Sequence, residues 1–131
     1  MCGIFGFKSS NTHGLAAKAV LKNMGDSIYH RGPDDDGYFC HRDTAIGMRR
    51  LSIIDLKTGS QPIYSNNKNL VIVYNGEVYN YKELRSSLEN KGYHFNTTTD
   101  TEVIVNLYQE KGPACLNELN GMFAFAIYDI K

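Results

Sequence analysis

A layered α/β fold with much antiparallel pairing is the class this sequence predicts. Strand-length apolar runs and helix-length amphipathic runs are both abundant. They do not alternate strictly, which argues against a doubly wound parallel sheet. Two short extended runs, near residues 38–42 and 44–50, meet at Arg42-Asp43, a tight turn between neighbouring strands. At 131 residues the chain is one domain, long enough to bury about two thirds of its surface.

The elements follow in order. Gly3-Ile4-Phe5-Gly6-Phe7 is an apolar run that predicts a buried first strand. Leu15, Ala16, Ala19, Val20, Met24 and Ile28 recur at helical spacing and predict an amphipathic helix over 14–27. His30 to Gly37 carries Gly, Pro and three aspartates and predicts a loop. Ser52-Ile53-Ile54-Asp55 predicts a further extended piece, ended at Thr58-Gly59. Leu70 to Tyr74 is apolar and mostly β-branched, hence a buried strand, and it runs into Asn75-Gly76, a pair that tolerates positive φ. Asn80 with Glu83 has capping-box spacing for a helix that presents Tyr81, Leu84 and Leu88 and stops at Gly92. Thr99 with Glu102 repeats that signal for a helix over 101–111, with Ile104, Leu107 and Tyr108 inward and Gly112-Pro113 as its end. A short helix near 114–119 precedes Met122 to Tyr128, a continuously apolar run that predicts a central strand buried on both faces. Such a strand needs neighbours on both edges, so the chain reads as cut short after Lys131. The exposed edge around Phe123 to Tyr128 predicts self-association of the isolated chain, a homo-oligomer.

Composition removes several classes of function. The formal net charge is zero and no basic block stands out, so neither nucleic acid nor an anionic membrane is the expected partner. No apolar stretch is long enough to span a bilayer, and the N-terminus lacks a signal-type core. Cys2, Cys40 and Cys115 are odd in number and scattered, which fits reduced thiols and a cytoplasmic setting. The four histidines lack metal-ligand spacing, so no metal site is expected.

The residues with chemistry begin at position 2. If Met1 is removed, which a small second residue permits, Cys2 carries a thiol and a free α-amine on one Cα. Their reference pKa values, about 8.5 and about 7.7–8.0, both lie near neutrality, where a weak nucleophile gains most from an adjacent base. The alternative is a small hydrophobe in a first strand. Asn75 and Gly76 offer a side-chain amide and a backbone N–H as oxyanion donors, or else form an ordinary turn. Arg50 can clamp a carboxylate bidentately, while Arg49 points the other way in an extended chain. Asp100 and Glu77 can each hold an ammonium, though Asp100 also suits a helix N-terminus. A zwitterionic amino acid with a cleavable side-chain amide fits this set.

The ordered series Met1-Cys2-Gly3-Ile4-Phe5-Gly6, His30-Arg31-Gly32-Pro33-Asp34-Asp35, Arg50-Leu51-Ser52-Ile53-Ile54-Asp55 and Gln61-Pro62 resembles one family. Asn75-Gly76-Glu77-Val78-Tyr79-Asn80-Tyr81, Asp100-Thr101-Glu102-Val103 and Gly121 to Ala126 extend the match over the whole chain. It resembles the class II (N-terminal nucleophile) glutamine amidotransferase domain of glutamine-hydrolysing asparagine synthetases. Related amidotransferases that feed phosphoribosyl or sugar-phosphate acceptors usually show a His-Thr-Arg-aromatic string where this chain reads Met48-Arg49-Arg50-Leu51-Ser52. Met48 stands where a histidine is common in the asparagine synthetase branch.

The resemblance implies an α+β fold of Ntn-hydrolase type, a four-layer αββα sandwich that is C-terminally truncated. Residues 1–131 are then a glutaminase domain incomplete at its C-terminus, with the synthetase domain absent. It implies Cys2 as nucleophile and Asn75 and Gly76 as oxyanion donors. L-glutamine would be held by Arg50, Leu51, Ser52, Ile53, Ile54, Asn75, Gly76, Glu77 and Asp100. No cofactor is implied for this domain, whereas ATP and Mg belong to the missing synthetase domain, its implied partner, which makes asparagine from aspartate. Three alternatives stay open: a non-catalytic fragment that binds glutamine or a partner protein, a relative amidating another acceptor, and a cysteine hydrolase using an internal histidine.

Overall fold

A computed structural model describes residues 2–52 and 59–131. The elements are β1 (Gly3–Lys8), α1 (Gly14–Ser27), β2 (Asp35–His41), β3 (Thr44–Arg50), β4 (Ile63–Tyr64), β5 (Leu70–Val78), α2 (Tyr81–Asn90), α3 (Asp100–Lys111) and β6 (Gly121–Asp129). Short 3-10 turns lie at Tyr29–Arg31 and Gly112–Glu118. Among the described residues, two antiparallel sheets of three strands form, with orders β1-β3-β2 and β4-β5-β6. They pack face to face through Ile46, Met48, Val71 and Val73, joined by Cys2, Ile4, Phe39, Ala126 and Tyr128. Helix α1 covers the outer face of the first sheet, and α3 with α2 covers that of the second. The layers therefore read αββα, as expected.

Helix α1 has the predicted bounds but a rotated face. Ala17, Leu21 and Gly25 are its buried positions, whereas Leu15 is 87% exposed and Val20 42%. The cause is close approach. The Phe5 ring and the Tyr38 hydroxyl fill the space beside Gly25, so small residues face the sheet and the rings of β1 and β2 supply the apolar bulk. The hairpin of β2 and β3 turns at Arg42-Asp43, with Arg42 at φ 52°. Strand β2 begins at Asp35, so the expected loop of residues 30–37 is shorter than its composition suggests.

Helices α2 and α3 start where the polar signals place them, but by different means. Thr99 Oγ1 accepts from Glu102 N–H at 3.4 Å, an N-cap as expected. Glu102 is 2% exposed and accepts from the Asn96 and Thr97 N–H groups at 2.9 and 2.7 Å, which ties down the approach to the helix. Asn80 makes no such cap. Its side chain donates to Glu118 O at 2.8 Å and accepts from Asn120 N–H at 3.0 Å, so a long-range tie replaces the local capping box.

Two strands are less buried than expected. Strand β1 is mostly half-buried because it forms one edge of its sheet. Strand β6 pairs only with β5 among the described residues and is half-exposed rather than central. Its register is regular along its whole length, and Phe123, Phe125 and Ile127 face the helices while Ala126 and Tyr128 face the first sheet.

One close approach connects the two sheets. A Cβ at Gly37 would overlap the Gln61 carbonyl oxygen, so the Gln61-Pro62 segment crosses β2 only because glycine stands there. Gly37→Ala should destabilise the fold by about 1–3 kcal/mol or more, measured as a lower urea midpoint at unchanged slope.

Candidate active site

Side chains alternate across each strand, and three inter-sheet stripes end in polar groups. Ile4 is followed by Cys2, Ile46 and Met48 by Arg50, and Val71 and Val73 by Asn75. The antiparallel register of β1 and β3 pairs Gly3 with Arg49, which sets Cys2 beside Arg50 at the same end. There a cavity of about 530 Å³ opens, lined by Cys2, Arg50, Asn75, Gly76, Glu77 and Asp100 among others. Leu51 also lines it. Ser52 does not, while Ile53 and Ile54 lie outside the described residues.

The Cys2 thiol is held against the chain just beyond β3. Leu51 N–H donates to Cys2 Sγ at 3.4 Å, and Sγ lies 3.8 Å from Leu51 O. Arg31 Nη2 donates to the Cys2 carbonyl at 3.2 Å. The loop at residues 30–34, whose role composition does not reveal, is thus a brace. Asp34 accepts Ser52 N–H at 2.8 Å and its own N–H donates to Arg50 O at 3.1 Å. A Cβ at Gly32 would sit 2.5 Å from the Arg49–Arg50 backbone, so glycine permits the contact. Cys40 and Cys115 lie away from the cavity, and desolvation raises both thiols above their ordinary range. None of the four histidines is among the cavity's lining residues, which removes the structural basis for an internal-histidine hydrolase.

The neighbouring arginines separate as strand alternation requires. Arg49 turns outward, donates to Asp36 at 2.6 Å and stacks 4.6 Å from the centre of the Tyr29 ring. Arg50 turns into the cavity, and its Nη2 lies 3.1 Å from where a Cβ of Gly59 would stand. Gly59 has φ 92°, so a side chain there is excluded on both grounds.

Asn75-Gly76 is not a turn. It lies within β5, whose pairing with β6 continues to Val78. Tyr79 N–H donates to Asn120 O, which fixes the odd-numbered residues of β5 as those bonded to β6. The even-numbered residues therefore turn their N–H groups to the opposite flank. On that flank Tyr74 N–H donates to Gln61 Oε1 at 2.6 Å and Val78 N–H to Asp100 Oδ2 at 2.9 Å. Between those two anchors, the Gly76 N–H faces the cavity. Gly76 has φ 151°, and a Cβ there would overlap the Met122–Phe123 backbone.

Asp100 stands at a helix N-terminus and at the cavity wall together. It is the first residue of α3, and its Oδ2 also accepts the Tyr74 hydroxyl at 2.6 Å, while the residue lines the cavity. Burial and this acceptor push the Tyr74 phenol far above its ordinary pKa, so it stays a donor at any working pH. Sequence reasoning missed Tyr74, Gln61 and Arg31 as members of the site. Their bonds join residues 13 to 29 positions apart, which no local pattern encodes.

Among the described residues, no cluster of three or more His, Cys, Asp or Glu is placed to hold a metal ion, and no helix is long and apolar enough to cross a membrane. Residues 1–131 match the family model described as a glutamine amidotransferase domain. The chain is 47% identical over 133 residues to asparagine synthetase [glutamine-hydrolyzing] 1 of Bacillus subtilis, covering 98% of this chain and 21% of that protein. It is 42% identical over 129 residues to asparagine synthetase B [glutamine-hydrolyzing] of Escherichia coli, covering 98% and 23% respectively. The chain thus spans little more than a fifth of these relatives. A solved glutamine phosphoribosylpyrophosphate amidotransferase from B. subtilis shares the fold at a TM-score of 0.73 and 24% identity, over 98% of this chain and 35% of that one.

Asp100→Ala strands the Tyr74 hydroxyl and the Val78 N–H together. It should lower stability by about 2–4 kcal/mol without any ligand present, read from urea unfolding.

Proposed function

Because this chain belongs to the glutamine amidotransferase domain family, we propose that it hydrolyses L-glutamine to glutamate and ammonia through a thioester on Cys2. The observation that carries this reading is the convergence of Cys2, Arg50, Asn75-Gly76 and Asp100 on one cavity. Each group has a place in the reaction. After methionine excision the Cys2 α-amine takes the thiol proton, and the sulfur attacks the side-chain amide carbon. Negative charge moves to the amide oxygen, where the Gly76 N–H and the Asn75 side-chain amide donate. The protonated amine returns its proton to the leaving nitrogen, the C–N bond breaks and ammonia departs. Water activated by the same amine then attacks the thioester, releasing glutamate and the thiol. Arg50 pairs with the substrate α-carboxylate, and Asp100 and Glu77 with its α-ammonium. Leu51 contributes backbone beside the thiol.

The relatives are named as asparagine synthetases that hydrolyse glutamine. On that basis the ammonia serves an ATP- and Mg-dependent synthetase domain acting on aspartate. The three free cysteines fit a reducing, cytoplasmic setting.

Glutamate release by N-terminally processed protein tests the proposal. Cys2→Ala should abolish release and still bind glutamine. Retention of Met1, or acetylation of the α-amine, should lower kcat by roughly 10²-fold or more, the usual contribution of a positioned base. Undiminished turnover with a blocked amine would overturn the mechanism, and glutamine binding without hydrolysis by processed protein would favour a binding-only domain.

A further inference from the structure

The Gly76 N–H is useful to an oxyanion only if the backbone carrying it stays still, and nothing intrinsic to glycine provides that. Strand β6 steadies one flank of β5 along its whole length. On the other flank β4 is only two residues long, pairing Ile63 with Ile72 and Tyr64 with Val71. Continued by two more pairs, that register would set the backbone of residue 61 opposite Tyr74. The Gln61 backbone is elsewhere, passing over Gly37, and its side chain returns instead. Gln61 Oε1 accepts Tyr74 N–H at 2.6 Å and Gln61 Nε2 donates to Tyr74 O at 3.1 Å. A carboxamide has the donor and acceptor of a peptide group in the same plane, so it completes the ladder that β4 abandons.

The grip is tight for a physical reason. Gln61 is 8% exposed, and a buried amide that loses its partners keeps its full desolvation cost. Both amide atoms are committed to the backbone N–H and C=O of one residue, and that residue is roughly 7 Å along the strand from Gly76. Asp100 holds Val78 from the same flank, two residues beyond. Gly76 hangs between these two clamps.

We propose that Gln61 is a positioning residue for glutamine hydrolysis, acting through the Tyr74 backbone to aim the Gly76 N–H at the developing oxyanion. This rests on the glutaminase reading. Because its amide is occupied by Tyr74, Gln61 contributes to the transition state and little to the affinity for glutamine.

Two variants test it in the intact protein. Gln61→Met removes the amide, and Gln61→Glu keeps the shape but cannot donate to Tyr74 O. Each should lower kcat roughly tenfold or more and leave the glutamine KM within about threefold. The γ-aldehyde analogue of glutamine adds the Cys2 thiol across its carbonyl, and the resulting hemithioacetal places an oxygen where the oxyanion forms. Its inhibition constant should rise by the same factor as kcat falls, while glutamate, which has no tetrahedral centre there, binds as before. Unchanged kcat and unchanged aldehyde inhibition in folded variants would overturn the proposal, as would a rise in KM at constant kcat. Circular dichroism checks folding, and failure of both variants to fold would assign Gln61 to folding alone and overturn it too. Wild-type protein that releases no glutamate and forms no hemithioacetal would instead remove the glutaminase reading itself.

Discussion

The two-residue period of a β-strand, locked by the register of β1 against β3, is the constraint on which this site depends. Pairing Gly3 with Arg49 sends Cys2 and Arg50 to the same face and the same end of the first sheet. A slip of one residue would either turn Cys2 outward or exchange Arg50 for Arg49. Ile4 on β1 and Ile46 and Met48 on β3 oppose that slip, because it would move one of these stripes out of the core between the sheets. The same burial that stabilises the sandwich therefore aims its reactive end, and the chemistry adds no separate scaffold.

The second sheet solves a different problem. A backbone N–H offered to substrate must be withheld from the ladder, yet a buried strand normally pairs every such group. Here β4 stops early, and two side chains replace it. Gln61 takes the Tyr74 N–H and C=O and Asp100 takes Val78 N–H, leaving Gly76 between them. Asp100 further joins the Tyr74 hydroxyl to this frame, so the wall that would hold an ammonium is also the seam between α3 and β5.

Local rules succeeded where a signal and its partner lie within one turn. Thr99 caps α3, Gly92 and Gly112 end α2 and α3 with positive φ, and Arg42-Asp43 makes the hairpin turn. They failed where a distant group outcompeted the local one. Asn80 gives its side chain to the Glu118–Asn120 segment instead of its own helix, and Asn75-Gly76 stays in a strand because β6 pairs with it. The helical face of α1 was misplaced because spacing ranks residues by hydrophobicity, whereas the sheet beneath offers large rings that select Ala17 and Gly25. Strand β6 is apolar enough to be central, yet composition does not say how many neighbours a strand has.

By itself, the order of residues determined the family and singled out the candidate groups: a thiol at position 2, Arg50 rather than Arg49, the Asn75-Gly76 pair, and an acid at the start of α3. These are legible because they depend on residue chemistry and on periods of two and 3.6. The tertiary structure alone decided that they share one cavity, that the residue 30–34 loop braces Cys2 and Arg50, and that Gln61 stands in for a missing strand. Those outcomes depend on contacts between segments far apart in the chain, whose geometry exists only after the two sheets have packed.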